Sequence, residues 1–317
     1  MSGAAPQPCW IPERFVTDNT GDARCRWIDV AGLRFTDPFF DSTVRRRRRD
    51  SPTERWSTVA ELLDEAATVP AVNDVVFIFH VSRCGSTLMS QLFGLDERTL
   101  VLSETPLLDA ILRTDGGDRA RLFDGALRLL GRPRDGAGFR LVVKTDGWHL
   151  FHAASLRRLY PQARFVLLYR RPADVLGSHQ KMRGMHMVPG VLEAPPFHVP
   201  YDPERLMLDQ YAAAVLERHY AAMLDIAVAD ECSLLAGYEE GFPAVFLRTT
   251  AWLGRSFAAD DLRLIHERCG YHAKRPHERF GGETLPCLQG VDLRPLDALF
   301  AALEQRRAAT AMSPDMD

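Results

Sequence analysis

The run Val75-Val76-Phe77-Ile78-Phe79-His80-Val81-Ser82-Arg83-Cys84-Gly85-Ser86-Thr87-Leu88-Met89 constrains the fold more than any other segment of the chain. Its first half is apolar, β-branched and aromatic, the composition of a strand buried on both faces. A short turn with one glycine and two hydroxyls follows, and then an amphipathic helix begins. Backbone N–H groups at such a turn point outward without intrahelical partners, and the helix dipole adds positive potential. A phosphate or sulfate is the natural occupant. A nucleotide-hydrolysing loop would read G-x-x-x-x-G-K-[ST], with the Lys on the outer phosphates and the hydroxyl on magnesium. Here Gly85 is followed by Ser86 and Thr87, and the nearby cation is Arg83, two residues before the glycine. An anion at this turn is therefore expected to be held without the usual magnesium arrangement. The same letters also describe an ordinary strand–helix turn capped by Ser or Thr.

A second strand–turn–helix runs through Arg164-Phe165-Val166-Leu167-Leu168-Tyr169-Arg170-Arg171-Pro172-Ala173-Asp174-Val175-Leu176-Gly177-Ser178, with Pro172 at a first-turn position. Together the two segments resemble the donor site of the sulfotransferases that use 3′-phosphoadenosine 5′-phosphosulfate. Arg83 to Leu88 is similar to their 5′-phosphosulfate loop, R-S-G-S-T-L or R-S-G-T-T-L, with Cys84 in second place. The resemblance implies that Arg83, Cys84, Gly85, Ser86 and Thr87 bind the donor. It also implies that Arg170 and Ser178, eight residues apart, hold its 3′-phosphate. The spacing makes physical sense. Arg offers a planar fork matched to phosphate oxygens, and a Ser about two helical turns on can close on the same group. Asp174 matches the family's R-x-x-x-D-V pattern. The alternative is a salt-bridged surface Arg and an unremarkable helix Ser. A weaker match, Gly237-Tyr238-Glu239-Glu240 followed by Thr249-Thr250-Ala251-Trp252-Leu253-Gly254, is similar to the family's Y-E-D-L element and F-L-G helix end. It follows an expected strand at Cys232-Ser233-Leu234-Leu235, and Glu239 reads as a residue bonding backbone rather than substrate.

Composition suits an enzyme without identifying one. The 317 residues are 46% hydrophobic and 26% charged, enough for one large core with a smaller appendage. A net charge of −3 gives no basic footprint for nucleic acid. No apolar run reaches the roughly eighteen residues of a membrane span, and Met1-Ser2-Gly3-Ala4-Ala5-Pro6 does not open a secretory signal. Cys9, Cys25, Cys84, Cys232, Cys269 and Cys287 form no C-x-x-C pair, so reduced thiols in a cytoplasmic protein are expected. Cys84 is expected to be the most reactive of them, with a thiol pKa lowered by the helix N-terminus and Arg83.

Residues 1–70 read as an accessory segment and 71–317 as the sulfotransferase domain. Cys25 to Val30, Ala31-Gly32 and Leu33 to Phe35 suggest a hairpin, and Trp56 to Leu63 the start of a helix. The run Arg45 to Arg49 suits a solvated, self-repelling surface segment better than a nucleic-acid contact. Strands near 75–80, 99–102, 140–144, 164–169 and 231–235 alternate with helices, which predicts an α/β fold. The expected form is a central parallel sheet flanked by helices, and the resemblance implies that it is P-loop NTPase-like. Both phosphate turns then fall beyond the carboxyl ends of the strands, where such sheets bind ligands. Gly184, Pro189, Gly190, Pro195, Pro196, Pro200 and Pro203 preclude long regular structure in residues 184–203, a candidate lid or acceptor loop. A long helix is expected from Glu204 to Ala229, with Leu208, Tyr211, Val215, Ala222 and Ile226 as a core stripe.

Catalysis of sulfuryl transfer needs a base for the acceptor and cations for the charge developing on the sulfuryl and departing phosphate oxygens. Glu104 follows a short strand, Thr99 to Leu102. Its distance of 21 residues from Arg83 is similar to that between loop Arg and catalytic Glu in tyrosylprotein sulfotransferases. It could instead cap the helix running to Arg113. Lys144, at the end of Arg140 to Val143, matches the family's Lys near the bridging oxygen of the leaving phosphate. Small-molecule sulfotransferases read K-[ST]-H there, but this chain has Lys144-Thr145-Asp146, so the base assignment moves to Glu104 with Asp146 in reserve. His149 and His152 have no evident carboxylate or Cys set and read as structural, so no metal is expected. The reaction implied is in-line transfer to an acceptor hydroxyl or amine, with Glu104 as base and Arg83, Lys144, Thr87 and the loop N–H groups on the developing charge. A P-loop small-molecule kinase or phosphotransferase, or a non-catalytic nucleotide-binding protein of the same fold, are the rival readings. Nothing in the sequence chooses the acceptor.

Overall fold

A computed structural model describes residues 7–17, 21–114, 116–132, 140–192, 199–205, 207–286 and 288–311. The chain opens with β1 (Trp10–Thr17) and β2 (Ala23–Asp29), then α1 (Phe40–Asp50), β3 (Arg55–Thr58) and α2 (Val59–Ala67). β1, β2 and β3 make a small antiparallel sheet in that order. This corrects the expected hairpin: β2 pairs with β1 and β3, and Leu33 to Phe35 form no strand. Trp56 lies in β3, and the helix starts only at Val59. There a capping box fixes it, with Glu61 N–H on Thr58 Oγ1 (3.2 Å) and Thr58 N–H on Glu61 Oε2 (2.7 Å).

The arginine run is also not a free, self-repelling segment. It lies in α1, where Arg46 pairs with Asp37 (2.8 Å), Arg47 with Asp29 (3.0 Å) and Arg48 with Glu13. Glu13 is 1% exposed and also pairs with Arg14 and Arg26, each at 3.0 Å. A buried carboxylate needs such partners, and within the run itself Glu13 takes Arg48 while Asp37 and Asp29 take Arg46 and Arg47.

The core is built from β4 (Val75–His80), α3 (Ser86–Phe93), β5 (Thr99–Ser103), α4 (Pro106–Arg113), α5 (Arg119–Leu130), β6 (Arg140–Lys144), α6 (Ala153–Leu159), β7 (Arg164–Tyr169), α7 (Pro172–Lys181), α8 (Leu208–Ala229) and β8 (Ser233–Gly237). The five strands form one parallel sheet in the order β5-β6-β4-β7-β8. All six residues of β4 and all five of β5 are buried, as a strand covered on both faces must be. Each fully buried Val, Ile or Phe contributes roughly 1.5–3 kcal/mol, so this run fixes the centre of the sheet. Phe165 of β7 meets Phe77 and Phe79 of β4 edge-on, at ring separations of 5.9 and 5.1 Å.

After β4 the chain builds β5 and β6 on one side, then crosses to build β7 and β8 on the other. Connections leave in opposite directions at β4, the position beyond whose carboxyl end such sheets bind ligands. The expected helix from Glu204 resolves into a short 3-10 turn, Pro203–Arg205, and α8. α9 (Ala244–Trp252), α10 (Ala259–Cys269), the hairpin β9 (Tyr271–His272) and β10 (Arg275–Arg279), and α11 (Arg294–Ala311) complete the chain. Among the described residues no helix is long and apolar enough to cross a membrane.

Candidate active site

The turn after β4 is conformationally demanding. Ser82 and Arg83 both have left-handed backbones, φ 60° and 51°, and Gly85 follows at φ 83°. A Cβ on Gly85 would come within 2.7 Å of the Phe242 ring and 3.1 Å of Tyr238. Only glycine suits both the backbone and the space. Ser86 opens α3, and Ser86 and Thr87 are buried at its first turn. Ser82 N–H donates to His80 Nδ1 (3.0 Å), so His80 carries its proton on Nε2 and donates to the Thr145 carbonyl (2.8 Å). Ser82 Oγ lies 2.7 Å from His179 Nε2. The Arg83 guanidinium donates to the Met182 carbonyl.

Cys84 behaves opposite to expectation. Its side chain is fully buried under the turn, with Sγ donating to the Leu168 carbonyl at 3.4 Å. Burial pushes its thiol up to about 12, against the smaller opposing pull of Ser86 N–H, Lys144 and Arg170. Loss of water outweighs the helix terminus here, and only the backbone of Cys84 can face a ligand.

Parallel pairing of β5 with β6 places Ser103 opposite Lys144, and Glu104 N–H continues the ladder onto the Lys144 carbonyl at 2.8 Å. The Glu104 backbone turns left-handed (φ 50°), and its carboxylate meets the buried Lys144 ammonium in a direct ion pair. α4 takes Thr105 as its N-cap without any side-chain cap bond, so Glu104 serves Lys144 and not the helix. The Lys144 ammonium also stands 5.4 Å from the centre of the Phe39 ring.

Asp146 lies two residues beyond Lys144, and burial pushes its carboxyl up to about 7, with Glu104 and Asp109 adding to the effect. His149 is not isolated, as its sequence setting suggested. Its Nε2 donates to Asp109 Oδ1 (2.9 Å), its Nδ1 accepts from Asp146 N–H (3.2 Å), and Trp148 Nε1 donates to the same Asp109 oxygen (2.8 Å). Asp109, Asp146 and His149 thus bring metal-ligand atoms within 4.8 Å of one another, although internal bonds engage both ring nitrogens. His152 is buried and held near 4 by lost hydration and the neighbouring His149. His186, in the 184–203 segment, is buried in a ring cluster with His179, His219 and Trp148. Residues 193–198, including His198, Pro195 and Pro196, and Cys287 lie outside the described residues.

The second turn places Arg170 at the end of β7 and Ser178 in α7, both buried. Arg170 Nη1 donates to the Arg83 carbonyl (3.0 Å), which ties the two turns together, and its guanidinium stacks 4.5 Å from the centre of the Tyr238 ring. Asp174 lies 3.5 Å from Arg170 Nε. Glu239 accepts from Arg171 N–H at 2.7 Å, the backbone role expected of it. Three site residues escaped the sequence reading. Lys274 stands 5.4 Å from the Phe39 ring centre, the same distance as Lys144, and lost hydration, with Arg83 nearby, lowers its pKa. Phe39 comes from the N-terminal segment. Glu283 bonds both Arg170 and Ser178. No local motif marks these positions, which reach the site from 105 residues or more away from Ser178 in the case of Glu283.

No family model and no curated protein sequence matches the chain. Solved structures similar to it are sulfotransferases. Sulfotransferase STF9 from Mycobacterium avium is 16% identical over 85% of this chain and 83% of that one, with a TM-score of 0.49. A sulfotransferase from Alicyclobacillus acidocaldarius is 22% identical, over 76% and 96%, with a TM-score of 0.42. Mouse sulfotransferase SULT7A1, complexed with PAP, is 15% identical, over 80% and 94%, with a TM-score of 0.43. At these values the likeness adds nothing to the chemistry argued from the residues.

Proposed function

We propose that this chain is a sulfotransferase that moves a sulfuryl group from 3′-phosphoadenosine 5′-phosphosulfate to an acceptor hydroxyl or amine. The observation that carries the reading is the gathering of Arg83, Glu104, Lys144, Arg170 and Ser178 at the carboxyl ends of β4, β5, β6 and β7. One turn supplies N–H groups and hydroxyls for a sulfate-sized anion. The other supplies a buried guanidinium and a hydroxyl for a second phosphate.

In the reaction Lys144 and Arg83 lie where charge grows on the departing phosphate oxygen. Glu104 takes the acceptor proton as the acceptor's oxygen or nitrogen bonds to sulfur. The sulfur–oxygen bond to the phosphate breaks in line, and the 3′,5′-bisphosphorylated adenosine leaves with the electron pair. The Glu104–Lys144 ion pair gives this step an order. While no donor is bound, each holds the other; an anionic donor draws Lys144 away and frees the carboxylate for the acceptor. Residues 1–70 act as an accessory segment on a catalytic unit of 71–317 and contribute Phe39 to the site wall. Incubating the protein with 35S-labelled donor and a fractionated cell extract tests the proposal. Label should move to a discrete product. Magnesium-dependent consumption of ATP without label transfer would refute it in favour of a phosphotransferase.

A further inference from the structure

Beyond β10, residues 281–286 lie across the Arg170–Ser178 pair. Glu283 Oε2 accepts from Arg170 Nη1 at 3.2 Å, and Glu283 Oε1 accepts from Ser178 Oγ at 3.0 Å. One carboxylate thus satisfies the guanidinium and the hydroxyl together, as two oxygens of a phosphate would. The segment is seated and not merely nearby. A Cβ on Gly177, beside Ser178, would meet Leu285 Cβ at 3.2 Å and the Pro286 carbonyl oxygen at 3.3 Å. Gly177 lets the strand of backbone lie directly on α7. Arg83 and Tyr238 also feel the Glu283 charge.

Resting on the donor reading above, we propose that Glu283 is a built-in competitor for the donor's 3′-phosphate. Its carboxylate closes the Arg170–Ser178 site while no nucleotide is bound, and it returns to hasten release of the spent nucleotide. Arg170 is only 8% exposed, and Asp174, 3.5 Å from its Nε, leaves the Nη1 side of the buried guanidinium without an anion. Glu283 supplies that anion between turnovers. A phosphate monoester carries more charge and a third acceptor oxygen, so it displaces the carboxylate. The apparent donor affinity is then reduced by the fraction of molecules in which the segment stands open. An adenosine nucleotide without a 3′-phosphate has no need of this pocket and meets no competition.

Calorimetry on the full chain tests this with two nucleotides, 3′-phosphoadenosine 5′-phosphate and adenosine 5′-phosphate. Glu283→Gln and Glu283→Ala should each tighten binding of the first by about tenfold or more and leave the second unchanged. In the unmodified protein, the 3′-phosphorylated nucleotide should speed amide hydrogen exchange across residues 283–285 while slowing it in the turn after β4. Suppose both variants bind the first nucleotide no tighter while Arg170→Ala binds it at least tenfold more weakly. The competitor role is then overturned and the donor reading stands. Equal tightening for both nucleotides also overturns it, because that is a general charge effect. Undiminished binding by Arg170→Ala overturns the donor reading itself, and the Glu283 role with it.

Discussion

Glu104 and Lys144 touch because two parallel strands end in register, and the left-handed Glu104 backbone turns its carboxylate across the gap. Their proposed roles predict different failures. Glu104→Gln keeps size and polarity but removes basicity, so turnover should fall roughly a hundredfold or more while donor binding survives. Lys144→Ala should lower turnover and also weaken donor binding, because the phosphosulfate is anionic before it reacts. Steady-state kinetics with calorimetry separates the two. Full turnover by Glu104→Gln alongside a dead Asp146→Asn would make Asp146 the base. Asp146 also makes a pH prediction. Its carboxyl stands near 7 when folded and at 3.8 when free, so between these values the folded chain holds a proton that the unfolded chain has lost. Its contribution is complete below about pH 4 and fades as pH rises through 7. Asp146→Asn should therefore match the wild type in stability at pH 4 and exceed it at pH 8, by on the order of 4 kcal/mol. Melting curves at the two pH values decide. A difference independent of pH would mean that Asp146 is ionised in the folded protein throughout the range.

At the scale of elements, what was legible depended on whether a signal was local. The five parallel strands announced themselves as apolar runs bounded by turns, because a strand buried on both faces cannot hide its composition. The small sheet was misread because β3 has only four residues and Arg14 and Arg26 of β1 and β2 are met by Glu13, buried within β1 itself. Arg170 and Ser178 could be paired in the sequence because the resemblance sets them eight residues apart across one turn and helix. Glu283 and Lys274 could not be read this way, because only the folded chain brings them to the site. The Cys84 reactivity was misjudged because a sequence shows the helix terminus but not the burial beneath it. Gly85 offers the sharpest test of the β4–α3 element. An alanine there must adopt φ 83° with its methyl 2.7 Å from Phe242, so the turn has to rearrange. Gly85→Ala should cost roughly 1–3 kcal/mol of stability and abolish high-affinity donor binding. Unaltered donor affinity in a calorimetric titration would show that the turn does not hold the anion.

For the molecule as a whole, the question is what holds residues 1–70 against the sheet that carries the chemistry. Apolar packing is one part, with Ile11, Trp27 and Ile28 fully buried. The other part is the segment's own cohesion: Glu13 draws Arg14, Arg26 and Arg48 together and so binds β1, β2 and α1 into one piece. That piece leads directly from Phe39, the ring that faces both Lys144 and Lys274. Glu13→Gln would leave three guanidiniums around a neutral side chain. The arginines are 34%, 22% and 27% exposed, so water screens part of the loss, and the cost should be about 2 kcal/mol rather than the 3–5 of a fully buried pair. Because the turns proposed to hold the donor follow β4 and β7, donor affinity should be unchanged at a temperature where the variant is folded. Phe39 stands beside Lys144, so turnover should drop although Glu13 touches no substrate. Thermal melts and a donor titration on the same preparation test both halves. Donor affinity lost in proportion to stability would show that the N-terminal segment is part of the donor site and not an appendage to it.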